Sequence, residues 1–300
     1  MTREHRPEAM TARPPTGAEP CDEHWADLRR FTAARIALAR SGASLATGPL
    51  LDLRLAHARA RDAVHAPLDD ARLLADLATL GLPVLAVASA AEDRQHYLMR
   101  PDLGRALAPE AAAVLAAQVA AQVAAQGTAQ GTATVGCDVA FVISDGLSAR
   151  AVQTHAGPLL AEVLPRLPRL RTETWSIAPL VVVRQGRVAI GDASASALRA
   201  RIVVMLIGER PGLSSPDSMG AYLTSLPAGR PLAEITDADR NCISNIRPEG
   251  LGYADAAFRL VHLLRAIRAR GISGVQLKDD GERLLIEERE RMDVRRIASD

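Results

Sequence analysis

The residues best suited to meet a ligand fall in three short segments. Ser144-Asp145-Gly146-Leu147-Ser148 follows an apolar run and offers a carboxylate and two hydroxyls. These can hold a polar ligand, or they can cap a following helix by accepting its free N–H groups. Gly208-Glu209-Arg210-Pro211-Gly212-Leu213 pairs a two-oxygen acceptor with glycines that let backbone approach closely and a proline that stiffens the turn. The same residues also read as a surface turn with a Glu209–Arg210 ion pair. Asn241-Cys242-Ile243-Ser244-Asn245-Ile246, continuing through Arg247-Pro248-Glu249-Gly250, is the third. Its thiol suits either a pocket wall or an inert packed position.

A complete catalytic apparatus is missing. No G-x-G-x-x-G follows a strand, and neither a phosphate-binding G-x-x-x-x-G-K-[ST] nor H-E-x-x-H nor G-x-S-x-G occurs. Lys278 is the single lysine, and the seven histidines are scattered; His57 reads as a packing residue. A net charge of +1 and 3% aromatics provide neither electrostatic pull nor stacking platforms for nucleic acid. Cys21, Cys137 and Cys242 are too far apart for a metal knuckle and odd in number, which fits the reducing cytoplasm. No apolar signal opens the chain. The alanine-rich run from Pro109 to Gln126 carries Gln118, Gln122 and Gln126 on one face, so it reads as a helix in water rather than a membrane span.

The elements that must position these segments alternate. Residues 1–20 read as a flexible tail and 21–80 as a helical region, with helical spacing from Gly48 to His65. From 81 to 278 strands are expected at Leu82–Val87, Asp138–Ile143, Leu180–Val183, Arg187–Ile190 and Ile202–Ile207, with a last one near Gly274–Leu277. Helices are expected over the alanine-rich run, from 144 to about Leu164, and from Ala254 to Arg270. The loop Gly127–Thr132 is low-complexity slack, and 279–300 is a charged tail. Strands apolar on both faces, alternating with helices, predict an α/β fold: a doubly wound, largely parallel, Rossmann-like sheet behind a helical N-terminal region. In such sheets ligands bind beyond the carboxyl ends of the strands, and all three segments read as loops at strand ends.

Taken in order, several blocks resemble the small subunit of ethanolamine ammonia-lyase. They are Arg30-Phe31-Thr32-Ala33-Ala34-Arg35-Ile36 with Arg40-Ser41-Gly42-Ala43, the run Leu51 to His65, and Tyr97-Leu98-Met99-Arg100-Pro101-Asp102-Leu103-Gly104-Arg105. The three segments above complete the set, Gly208–Leu213 and Asn241–Gly250 being the strongest. The resemblance implies one part of a hetero-oligomeric lyase that uses adenosylcobalamin. In that family the large subunit holds ethanolamine in a barrel and the small subunit closes over the cobalamin from the other side. An adenosyl radical starts the conversion to acetaldehyde and ammonia, and the cofactor carries that chemistry.

The family's cofactor contacts map onto Val188, Glu209 and Cys242, with no catalytic residue and no metal ligand of its own. Between Val188 and the strand at 202–207 the family usually places glycines; here Gly191-Asp192-Ala193-Ser194-Ala195-Ser196-Ala197 brings alanine and serine instead. The resemblance places the chain in the cytoplasm and is compatible with a bacterial microcompartment. Two other classes remain: an autonomous nucleotide-binding enzyme, which the missing phosphate fingerprint opposes, and a non-catalytic assembly partner.

Overall fold

The computed structural model describes residues 40–125, 136–167 and 174–281, with parts of 27–38 and 283–286. The tail 1–20, the loop 127–132 and most of 279–300 lie outside the described residues. Two compact units are distinguished, Met1–Ala58 and Arg59–Asp300. In the first, β1 (Arg40–Ser41) and β2 (Ser44–Leu45) form a small antiparallel hairpin. Helix α1 (Thr47–His65) begins there and runs into the second unit.

The second unit is built on a six-stranded sheet in the order β3-β5-β4-β6-β7-β8. β3 (Val84–Ala88), β4 (Cys137–Ser144), β5 (Leu180–Arg184) and β6 (Ala200–Gly208) are parallel. β7 (Met219–Ser225) and β8 (Arg240–Ile246) run antiparallel to their neighbours. The sheet is therefore mixed and mostly parallel: the α/β, largely parallel expectation holds, with two antiparallel strands added at one edge. Residues 209–218 and 226–239 join the last strands and contain only short 3-10 turns, whereas parallel neighbours need a crossover, usually helical.

Helices cover both faces of the parallel part. On one face α2 (Asp70–Ala78), α5 (Ala149–Val163) and α7 (Tyr253–Arg270) pack on Val139, Phe141 and Ile143. On the other, α4 (Pro109–Ala125) and α6 (Ile190–Ala197) pack on Ala140, Val142, Val203 and Met205. A short helix α3 (Arg94–Met99) precedes α4, its first turn capped by Asp93, which accepts the His96 N–H at 2.8 Å. Every residue of β4 beyond Cys137 is buried, as its apolar run required.

Three expected elements differ. The strand expected at Arg187–Ile190 is a turn leading into α6: Gln185 takes φ 56° and turns the chain out of β5, and Ile190 then opens the helix. Its alternating apolar residues mimic a strand's period. Asn241–Ile246 is an edge strand rather than a loop. Gly274–Leu277 is a 3-10 turn, with Gly274 at φ 71° and the Leu277 N–H donating to its carbonyl at 2.9 Å.

Candidate functional site

Because four strands are parallel, their carboxyl ends gather Ser144, Gln185 and Glu209 at one edge of the sheet. Glu209 directly follows β6, where its N–H donates to the Ser218 carbonyl at 3.0 Å. Its carboxylate lies over Gly220 of β7, where a Cβ would stand 3.0 Å from Oε1. The Asn245 N–H donates to both carboxylate oxygens at a long 3.3 Å. Most of the acceptor capacity of Glu209 is thus left unused by the described residues.

Cys242 lies within β8, opposite Tyr222, which in turn stands opposite Met205 of β6. Facing positions share one side of a sheet. The thiol is exposed, with Sγ 3.2 Å from the Ser244 hydroxyl. Tyr222 is half-buried on the apolar cluster that includes Met205. Burial above all, and then the neighbouring Cys242 and Glu209, push its phenol well above the ordinary value, so it stays a neutral donor.

Val188 is half-buried in the turn before α6 and packs on this same cluster. The glycine that follows, Gly191, rests on Met205; a Cβ there would come within 3.2 Å of the methionine side chain. Glu209 and Cys242 therefore share one face of the sheet, with Val188 at its border. From Met205 to Cys242 is two strand spacings, about 10 Å. The alanines and serines that follow Val188 build α6, and the Ser194 hydroxyl donates back to the Ile190 carbonyl at 2.8 Å.

The first segment is used differently. Ser148 caps α5, accepting the Ala151 N–H at 3.4 Å. Asp145 does not cap; it is almost fully buried, with its Oδ1 accepting the Gln185 N–H at 2.8 Å and the Ser144 hydroxyl at 3.1 Å. Arg94 stands 3.5 Å from its other oxygen and donates to the carbonyls of Gly146 (2.7 Å) and Val64 (2.6 and 2.8 Å). Burial pushes the Asp145 carboxyl above its usual range, and Arg94 pulls it back. The guanidinium groups of Arg94 and Arg187 lie over the Tyr97 ring, 4.8 and 4.6 Å from its centre. Sequence reasoning missed Arg94 and Gln185, whose partners are 51 and 40 residues away.

A cavity of about 400 Å³ lies at the opposite edge, between the start of β6, the end of β7 and the end of α7. Arg199, Arg201 and Arg268 line it beside the last turns of α6 and α7. Arg201 and Arg268 pair there with the buried Asp138, the latter at 3.7 Å, so these arginines need no ligand. Among the described residues no group of three or more His, Cys, Asp or Glu is placed to hold a metal ion, and no helix is long and apolar enough to cross a membrane.

Fold and face together define an α/β chain with an accessible, partly polar sheet face and no metal-ligand cluster among the described residues. The ethanolamine ammonia-lyase light chain family matches residues 22–278. The chain is 51% identical over 273 residues to the ethanolamine ammonia-lyase small subunit of Azotobacter vinelandii, covering 91% of this chain and 93% of that one. It is 50% identical to the small subunit of Ralstonia nicotianae (88% and 91% covered) and 47% identical to that of Pseudomonas fluorescens SBW25 (90% and 91% covered). The chain belongs to the ethanolamine ammonia-lyase small-subunit family.

Proposed function

We propose that this chain acts as the small subunit of ethanolamine ammonia-lyase. In this reading it joins a large subunit in a cytoplasmic hetero-oligomer and holds adenosylcobalamin at their junction. The α/β region 81–278 carries the cofactor face. The observation that supports it best is the near-idle carboxylate of Glu209, set beside Tyr222 and Cys242 on one accessible face.

The residues present suit that cofactor. The corrin rim bears primary amides, which donate to a carboxylate and accept from a hydroxyl. Glu209 accepts from such an amide and the neutral Tyr222 phenol donates to one. Gly220 keeps the space above the strand open, and Val188 and Cys242 give apolar and polarisable contact. Bound, adenosylcobalamin supplies the radical that starts deamination. This chain's residues bind and orient it and exclude water from its rim.

Glu209→Ala tests the reading. Losing hydrogen bonds to a charged group costs about 1.5–3 kcal/mol, or roughly a ten- to hundredfold weaker hold. Titrating the assembled complex with adenosylcobalamin should show that loss, with the KM for ethanolamine unchanged. An unaltered cofactor Kd in a folded, partner-bound variant removes Glu209 from the site.

A further inference from the structure

The buried carboxylate of Asp145 touches neither the open face nor solvent, yet it fixes the backbone on one side of that face, and the loop that carries it is locked to the backbone on the other. On one side, Oδ1 accepts the Gln185 N–H at 2.8 Å, and Ser144, bonded to the same oxygen, accepts the Gly186 N–H at 2.9 Å. These bonds hold Gln185 at φ 56°, a left-handed conformation unusual for a side-chain-bearing residue, at the head of the turn that presents Val188. The same turn is fixed further along by the Arg187 N–H, which donates to the Gly104 carbonyl at 2.7 Å.

On the other side, the loop that carries Asp145 is locked to the residue before Glu209. The Leu147 N–H donates to the Gly208 carbonyl at 3.0 Å. A Cβ at Gly208 would collide with the carbonyl oxygens of Ser148 and Asp145, at 2.1 and 2.5 Å, so the two backbones touch without a gap. Arg94 completes the frame by bonding the Gly146 carbonyl beside the carboxylate.

We propose that Asp145 is a positioning residue that sets the two backbone segments presenting Val188 and Glu209 to the cofactor. This inference rests on the cofactor reading above. It assigns a residue that meets no ligand to the control of cofactor affinity, through Gln185 and Gly186 on one flank and Gly208 on the other.

Asp145→Asn keeps the shape but turns one oxygen into an NH2 group. That group must face either the Arg94 guanidinium or the Gln185 N–H, donor against donor. In the full chain assembled with its large subunit, the Kd for hydroxocobalamin, followed by calorimetry, should rise at least tenfold, with the ethanolamine KM unchanged. Leu73→Ala, a core change on the far face, should lower the melting temperature and leave that Kd alone, which separates positioning from general destabilisation. If Asp145→Asn does not assemble, Ser144→Ala, which removes only the hydroxyl that accepts the Gly186 N–H, carries the same test with a smaller loss. A native Kd in the assembled variant, while Glu209→Ala weakens binding, overturns the role of Asp145. A native Kd in both overturns the cofactor reading and this inference with it.

Discussion

Gly220→Ala should separate cofactor affinity from fold stability more cleanly than any substitution at Glu209 itself. The new methyl would meet Glu209 Oε1 at 3.0 Å, Tyr222 Cε2 at 3.2 Å and Glu209 Cγ at 3.4 Å. All three belong to side chains, and the carboxylate, held only by long bonds from the Asn245 N–H, is free to yield by a few tenths of an ångström. Gly220 has no positive φ, so alanine meets no backbone strain there. Replacing glycine at a compatible position restricts the unfolded chain and stabilises by roughly 0.4–1 kcal/mol. Those few tenths are enough to spoil the geometry of charge-assisted bonds to a ligand, a loss on the order of 1.5 kcal/mol and about tenfold in Kd. Calorimetric titration of the assembled complex with cobalamin, beside a thermal melt of the same sample, reads both quantities. Weaker binding at an equal or higher melting temperature is expected. Native affinity, or a melting temperature lowered by several degrees, would refute the placement of the Glu209 carboxylate over Gly220.

The two described thiols should behave differently. Cys242 is exposed and should react with a thiol reagent in the free subunit, with protection once cobalamin and the large subunit are added. Burial pushes the Cys137 thiol up to about 11, so it should label slowly and show no cobalamin-dependent protection; equal labelling of both would contradict this. Asp192, paired with Arg240, is pushed by burial up to about 6 even though the guanidinium pulls it down. A folded pKa above the unfolded one means the native state takes up a proton between about pH 4 and 6, so this group's contribution to stability falls as pH rises through that window. Comparing native and Asp192→Asn melts across those values should show the native stability falling relative to the variant as pH rises.

The sequence announces the parts of this fold that are buried on both faces. β4 and β6 are continuous apolar runs because helices cover each side, and Ser148 before an apolar helix signals its cap. β7 and β8 were harder to see. Gly220 and Ala221 are small and sit where the register shifts, and Asn245 at φ 58° breaks the alternation that Asn241 to Ile243 begins. α6 hides in a run of alanine and serine that also suits a loop. Glu209 was visible because a carboxylate between glycines at a strand end is chemically conspicuous. Asp145 was visible as a residue but not in its role, since its partners Arg94 and Gln185 are brought to it only by strand order.

The direction of the last two strands bears on why a second chain is needed at all. A parallel strand is reached through a crossover helix, which then lies as a roof on the sheet. β7 and β8 are reached by loops, so on the side bearing Tyr222 and Cys242 no such roof is obliged to form, and α7 shelters only their other side. On these two of the six strands, α6 covers only the start of β8, where Asp192 pairs with Arg240, and Cys242 beyond it is exposed. A flat, wide ligand laid there has one surface in contact and the other in water, and reactive species on it would be quenched. If the proposed cofactor face is right, the cover has to come from elsewhere, and the large subunit is suited to supply it. On that reading, the topology of one chain leaves to its partner the task of drying the chamber.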